Sequence, residues 1–68
     1  MIVVRLYDVV EVLRGRETVW RALAADVCAM DAATLRLSLA ARGCEEYAPA
    51  VAAAARHAEH TREPVVFT

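Results

Sequence analysis

The chain has no lysine, asparagine or glutamine, two glycines, two prolines, two cysteines, and only one Trp, two Tyr and one Phe. Each shortage excludes something. Two glycines leave no room for a glycine-rich phosphate loop, and neither a GxSxG nor an HExxH pattern is present. Two cysteines are too few for a disulfide scaffold. Without lysine, all eight cations are arginine, set against nine acidic residues for a net charge of −1. That balance argues against a nonspecific nucleic-acid or anionic-membrane binder, which would carry clustered excess positive charge. Long apolar runs are missing too. The longest, 47–55, falls far short of the roughly 20 residues that span a bilayer. The N-terminal stretch has no basic region, and Arg5 and Asp8 interrupt it. The expectation is a cytoplasmic protein with reduced thiols and no membrane partner.

What is present is apolar bulk. The hydrophobic share is 59%, against roughly 45–50% for ordinary soluble domains. Fifteen alanines account for part of the excess, and the larger apolar residues make a normal core for 68 residues. That length fits one domain and excludes two-domain enzymes, nucleotide-binding α/β sheets and β/α barrels. A core below about 70–80 residues rarely supplies more than roughly 3–5 kcal/mol net. Self-association is the remaining cheap source of stability.

Residues 2–7 read as a strand, because Ile and Val sit well on a pleated surface. Ile2, Val4 and Leu6 share one face and Val3, Arg5 and Tyr7 the other. Both faces are mostly apolar, which predicts a strand covered on both sides or placed in an interface. Residues 8–14 read as a short helix capped by Asp8 and Glu11 and closed by Gly15. A continued strand is the alternative, since Val9, Val10 and Val12 are β-branched. Over 17–29 the spacing of Val19, Leu23 and Val27 predicts a helix. Asp31 caps a following helix over 32–42, with Leu35 and Leu39 inward, Leu37 off the stripe and Gly43 at its end. A third helix runs from about Glu45 to His60, with Pro49 confined to its first turn. Pro64 then leads into a strand at 65–67, which pairs with residues 2–6 of the same chain or of a neighbour; two such two-stranded sheets joined across a symmetry axis would make the four-stranded sheet of a dimer. The resulting architecture is α+β, mainly helical: β-(α)-α-α-α-β with a minimal sheet and helices on one face.

Candidate chemistry is sparse. His57 and His60 share a helical face, but Cys-x15-Cys-x12-His-x2-His fits neither half of a structural zinc site. Cys28 reads as a small buried hydrophobe. Cys44, after the Gly43 cap and near Arg42, reads as the better placed thiol. Glu45 and Glu46 are adjacent and point to different sides of a helix. These patterns predict no catalytic residue, no metal and no cofactor.

The segment LAADVCAMDAATLRLSLAARG, residues 23–43, is similar to a helix-turn-helix unit, with a small residue in the first helix, a short turn, a polar N-cap and a helix ending in Gly. The resemblance covers about a third of the chain, and its turn region, 27–30, lacks the usual glycine. It implies a small DNA-binding regulator with helices about 17–29 and 32–42. Arg36, Arg42, Thr34 and Ser38 would be its contact residues, supplied by two protomers.

The leading expectation is a non-enzymatic protein-interaction module. It would be an adaptor, an antitoxin-like protein or an inhibitor such as a phage anti-defence protein. It would pair with itself as a homodimer and with a second, unidentified protein. Trp20, Arg16, Arg21, Leu37 and Tyr47 are the candidate contact residues, because Trp, Tyr and Arg are enriched where interfaces bind hardest, although Trp20 reads first as a core anchor with its N–H at the rim.

Overall fold

A computed structural model describes residues 1–57 and 64–67. Strand β1 (Ile2–Leu6) and strand β2 (Val9–Arg14) form a hairpin across Tyr7-Asp8, with Leu6 opposite Val9. Gly15-Arg16 then turns the chain into β3 (Glu17–Leu23), with Arg14 opposite Glu17. Each two-residue turn has positive φ at its first central residue, 55° at Tyr7 and 60° at Gly15. This is the type II′ arrangement, whose twist matches that of the flanking strands. Glycine adopts it freely, whereas Tyr7 does so at a cost of about 1–2 kcal/mol. The last strand, β4 (Val65–Phe67), pairs antiparallel with β1 of the same chain, so the sheet order is β3-β2-β1-β4.

The chain is therefore not mainly helical. The described residues carry four antiparallel strands and three helices, 34% strand and 44% helix. Residues 8–14, read as a short helix, are the turn and β2. The first seven residues of the helix expected over 17–29 are β3, and only α1 (Ala24–Ala29) is helical. The misreading has a physical source. A spacing of four residues satisfies a helical face, but it is also a multiple of two and keeps residues on one face of a strand. Thr18, Val19 and Trp20 then follow their β preference. A bulge sits at Val19, because Val12 pairs with Trp20 while Leu13 pairs with Thr18.

The second helix, α2 (Ala32–Ala40), starts where Asp31 Oδ1 accepts the Thr34 backbone N–H at 2.7 Å. It ends in a Schellman arrangement. Gly43 N–H donates to Ala40 O at 3.0 Å and Cys44 N–H to Leu39 O at 2.9 Å, with Gly43 at φ 70°. A 3₁₀ turn at Glu45–Tyr47 leads into α3 (Ala48–Arg56), with Pro49 in the first turn. Residue 57 has left helical geometry, with ψ 121°. The part of the expected third helix over 58–60 lies outside the described residues.

All three helices lie on one face of the sheet. Val3, Val10, Val12 and Trp20 point from the sheet toward Val27, Leu35, Leu39, Val51 and Ala54. The Trp20 indole N–H donates to Ser38 Oγ at 3.0 Å, which satisfies its one polar atom. Among these apolar neighbours sits a charge. Arg5 is 4% exposed and points inward from β1. Its Nη1 donates to the carbonyls of Ala54 at 2.8 Å, Ala55 at 3.1 Å and His57 at 3.2 Å, and its Nε donates to Tyr7 O. The last four carbonyls of a helix have no partner within it, and they form its negative pole. Arg5 supplies both the hydrogen bonds and the opposing charge.

Two predictions follow from these caps. Arg5→Met keeps the bulk but removes the charge-assisted bonds to the end of α3, leaving Ala54 O with the His57 N–H and Ala55 O with the weak Cys28 thiol donor. It should cost about 2–3 kcal/mol in urea unfolding, most of what a core of this size provides, with Arg5→Lys falling between. The bond from Thr34 N–H holds the Asp31 carboxyl below the usual aspartate range. A depressed folded-state pKa means that the contribution is present above the unfolded value and lost as acid protonates the cap. Asp31→Asn should therefore flatten the acid limb of melting temperature against pH, and Asp31→Ala should lower the melting temperature at neutral pH.

Candidate interaction surface

The opposite face of the sheet carries the side chains of the alternate residues. On β1 these are Ile2, Val4 and Leu6, none of them polar. By register, β2 adds Val9 and Leu13, and the flanking strands add Leu23 and Val66. Ile2 is 39%, Leu23 46% and Val66 53% exposed, while Val4 is buried among its neighbours. An antiparallel sheet with one wet face normally alternates apolar inside with polar outside, and this one does not. The Cα extents, 29 × 27 × 16 Å, leave room for two layers and no third, since layers stack about 10 Å apart. The polar residues of the face gather on the β3 side. Glu11 stands directly across from Arg21, and Thr18 Oγ1 donates to Glu11 Oε2 at 3.0 Å. The face therefore has an aliphatic centre on β1, a mutually compensating charge pair toward one rim, and the exposed Tyr7 at the end of β1.

The residues singled out from the sequence are scattered over the molecule. Arg21 lies on this outer face and Arg16 on the exposed turn beside it. Trp20 is buried between the layers, and Tyr47 is half-buried against the core. Leu37 is 73% exposed on α2, with the sheet on the far side of the helix. The aliphatic outer face itself was signalled by the two apolar faces of β1, but its extent depended on reading 8–14 and 17–23 as strands.

The four residues of the helix-turn-helix reading also divide. Arg36 lies within α2, whereas Arg42 lies in the turn beyond its end. Arg36 lines a cleft between α1, α2 and α3, and Arg42 lines another, between α2 and β3. Thr34 is exposed, whereas Ser38 is half-buried and accepts the Trp20 bond. The first helix of the unit is only six residues long.

The two thiols reverse their expected settings. Cys44 is fully buried, because the Schellman turn at Gly43 carries the chain back against Leu39. Cys28 is exposed on α1 and donates to Ala55 O at 3.5 Å. Among the described residues no three His, Cys, Asp or Glu side chains gather as metal ligands. His60 lies outside the described residues. The His57 ring meets Phe67 edge to face, with centroids 5.4 Å apart.

No protein-family model matches the chain, and no curated protein sequence or solved structure matches it.

The thiol settings are directly measurable. Under native conditions a maleimide should modify one cysteine, Cys28, while Cys44 reacts only once the chain unfolds. Cys28→Ser should leave no native-state labelling.

Proposed function

We propose that the chain is a non-enzymatic protein-interaction module that pairs with a second copy of itself through the outer face of its sheet. The aliphatic surface formed by Ile2, Leu6, Val9, Leu13 and Val66 around Val4 carries this reading. Large apolar surfaces rimmed by polar groups mark association sites. The three strands β2, β1 and β4, about 4.8 Å apart, with five residues at about 3.3 Å, give a footprint of roughly 14 by 17 Å, below the standard interface size and in the range of weak, transient pairing. Pairing about a two-fold axis along β1 lays β1 on β1, and β2 on β4 of the partner subunit. The aliphatic strip of β1 then forms the centre and Arg21, on β3, stays at the rim, the usual anatomy of an interface, while Glu11 comes to lie against β4 of the partner subunit. A two-fold across the strands would instead set Glu11 on Glu11. A footprint of this size supports a weak, transient dimer that forms at high protein concentration.

The compartment belongs to the same proposal. No helix among the described residues is long and apolar enough to cross a membrane. An exposed Cys28 and a buried, unpaired Cys44 suit a reducing cytoplasm. The helix-turn-helix reading draws less support, because Arg36 and Arg42 face different clefts.

Sedimentation across a concentration series tests the dimer. Wild type should pass from monomer to dimer. Val66→Asp and Leu13→Lys should each weaken pairing by tenfold or more, about 1.4 kcal/mol. Leu37→Asp, on the helical side, should change nothing. A wild type that stays monomeric throughout, or pairing that responds to Leu37 and ignores Val66, would overturn the proposal.

A further inference from the structure

The helical side carries a second concave surface, separate from the sheet face. A cleft of about 430 Å³ lies between α1, α2 and α3. That volume falls within the roughly 300–1,000 Å³ of pockets that take ligands. Its floor is Val27, Leu35, Ala48 and Ala55, all buried. Along α3 it runs from Ala48 to Arg56, eight residues or about 12 Å. Cys28 opens onto its wall.

Among the described residues the charges at the cleft do not cancel. Arg36 and Arg56 stand at its rim, both exposed, and among these residues neither has an ion pair or a side-chain hydrogen bond. The one carboxylate among the described lining residues, Asp31, is committed to the backbone of Thr34. Two guanidinium groups therefore flank an apolar floor, a setting that favours carboxylates beside apolar side chains.

We infer that this cleft receives an acidic amphipathic helix of a partner protein, which sets apolar residues at i, i+4 and i+7 on the floor and carboxylates against Arg36 and Arg56. Length and shape favour a helix over a compact ligand. Three such anchors span about 10.5 Å, close to the length of the floor. The alanines at 48, 52 and 55 let a helix axis approach α3 near the short end of the roughly 8–10 Å range. Because the cleft and the outer sheet face lie on opposite sides of the sheet, this inference does not depend on the dimer.

A displayed library of helices about 16 residues long, enough to hold helical structure in water, tests it. Apolar anchors are fixed at i, i+4 and i+7, and the flanking positions are randomised. Selection on wild type should enrich Asp and Glu beside the anchors. Selection on the Arg36→Glu, Arg56→Glu double variant, whose fold is checked by circular dichroism, should enrich Lys and Arg. A selected acidic peptide should slow maleimide labelling of Cys28 by at least about tenfold at saturation, and should do so equally on Val66→Asp. No enrichment, a charge preference unmoved by the reversal, or binding that leaves Cys28 labelling unchanged would each overturn the inference. Protection of Cys28 by decanoate, with no peptide enriched, would also overturn it in favour of a small anionic amphiphile.

Discussion

A buried guanidinium joins the two layers of this molecule. Arg5 belongs to the central strand β1, and its partners are the final carbonyls of α3, some fifty residues later in the chain. Burying a charge is expensive unless its donors are met. Here several carbonyls and the negative pole of α3 meet them, and the described residues supply no carboxylate in their place. The bond from Nε to Tyr7 O also fixes the first turn, so one side chain holds the β1–β2 corner and the end of the last helix together. Tyr7 adopts its costly positive φ at the same corner, and the Arg5 bond to its carbonyl helps to hold it there.

That constraint accounts for the composition of α3. Arg5 ties the end of the helix to β1, and the inward side of α3 there is mostly alanine, which suits a short separation between helix and sheet. Ala48, Ala54 and Ala55 are buried there with Val51. Small residues bring less hydrophobic gain per position, so the inner core relies on the sheet valines, Trp20, Leu35 and Leu39. The aliphatic residues on the other side of β1 contribute little to this core. The 59% apolar share thus has two destinations, a core on one side of the sheet and, among the described residues, a partly exposed aliphatic surface on the other.

Much of this could be read from the residues, and the rest was hidden for definable reasons. The alternation of Ile2 to Tyr7 identified β1 and its two apolar faces. Asp31 and Gly43 bracketed α2, and Pro64 preceded β4. The strands β2 and β3 were obscured by a period that helix and strand share at Val19 and Leu23, and by the capping signals of Asp8 and Gly15, which serve hairpin turns equally well. Arg5 read as an interruption of an apolar stretch, because nothing local reports that a helix end fifty residues away will need donors. Cys28 and Cys44 exchanged roles for a similar reason. A residue following a C-terminal glycine is solvated or buried according to what the Schellman turn packs against, here Leu39, and that is a tertiary fact. Leu37 was legible as a residue off the main stripe, and it is exposed on α2.

The proposed surfaces, taken together, constrain how such a module would work. Sheet-to-sheet pairing places the helical layers on the outside, so the two clefts of a dimer face away from each other. With about 10 Å between successive layers they lie roughly 30 Å apart across four layers. One short helix cannot reach both, so a single partner segment gains no avidity from the dimer. A dimer of this form would instead bridge two partner molecules, or two well-separated helices of one. Its effective affinity would then rise with the valency of the partner, while each cleft would bind with only the modest strength that about 430 Å³ of apolar space and two arginines provide. Interruption of the sheet contact would leave each cleft intact and remove only the bridging.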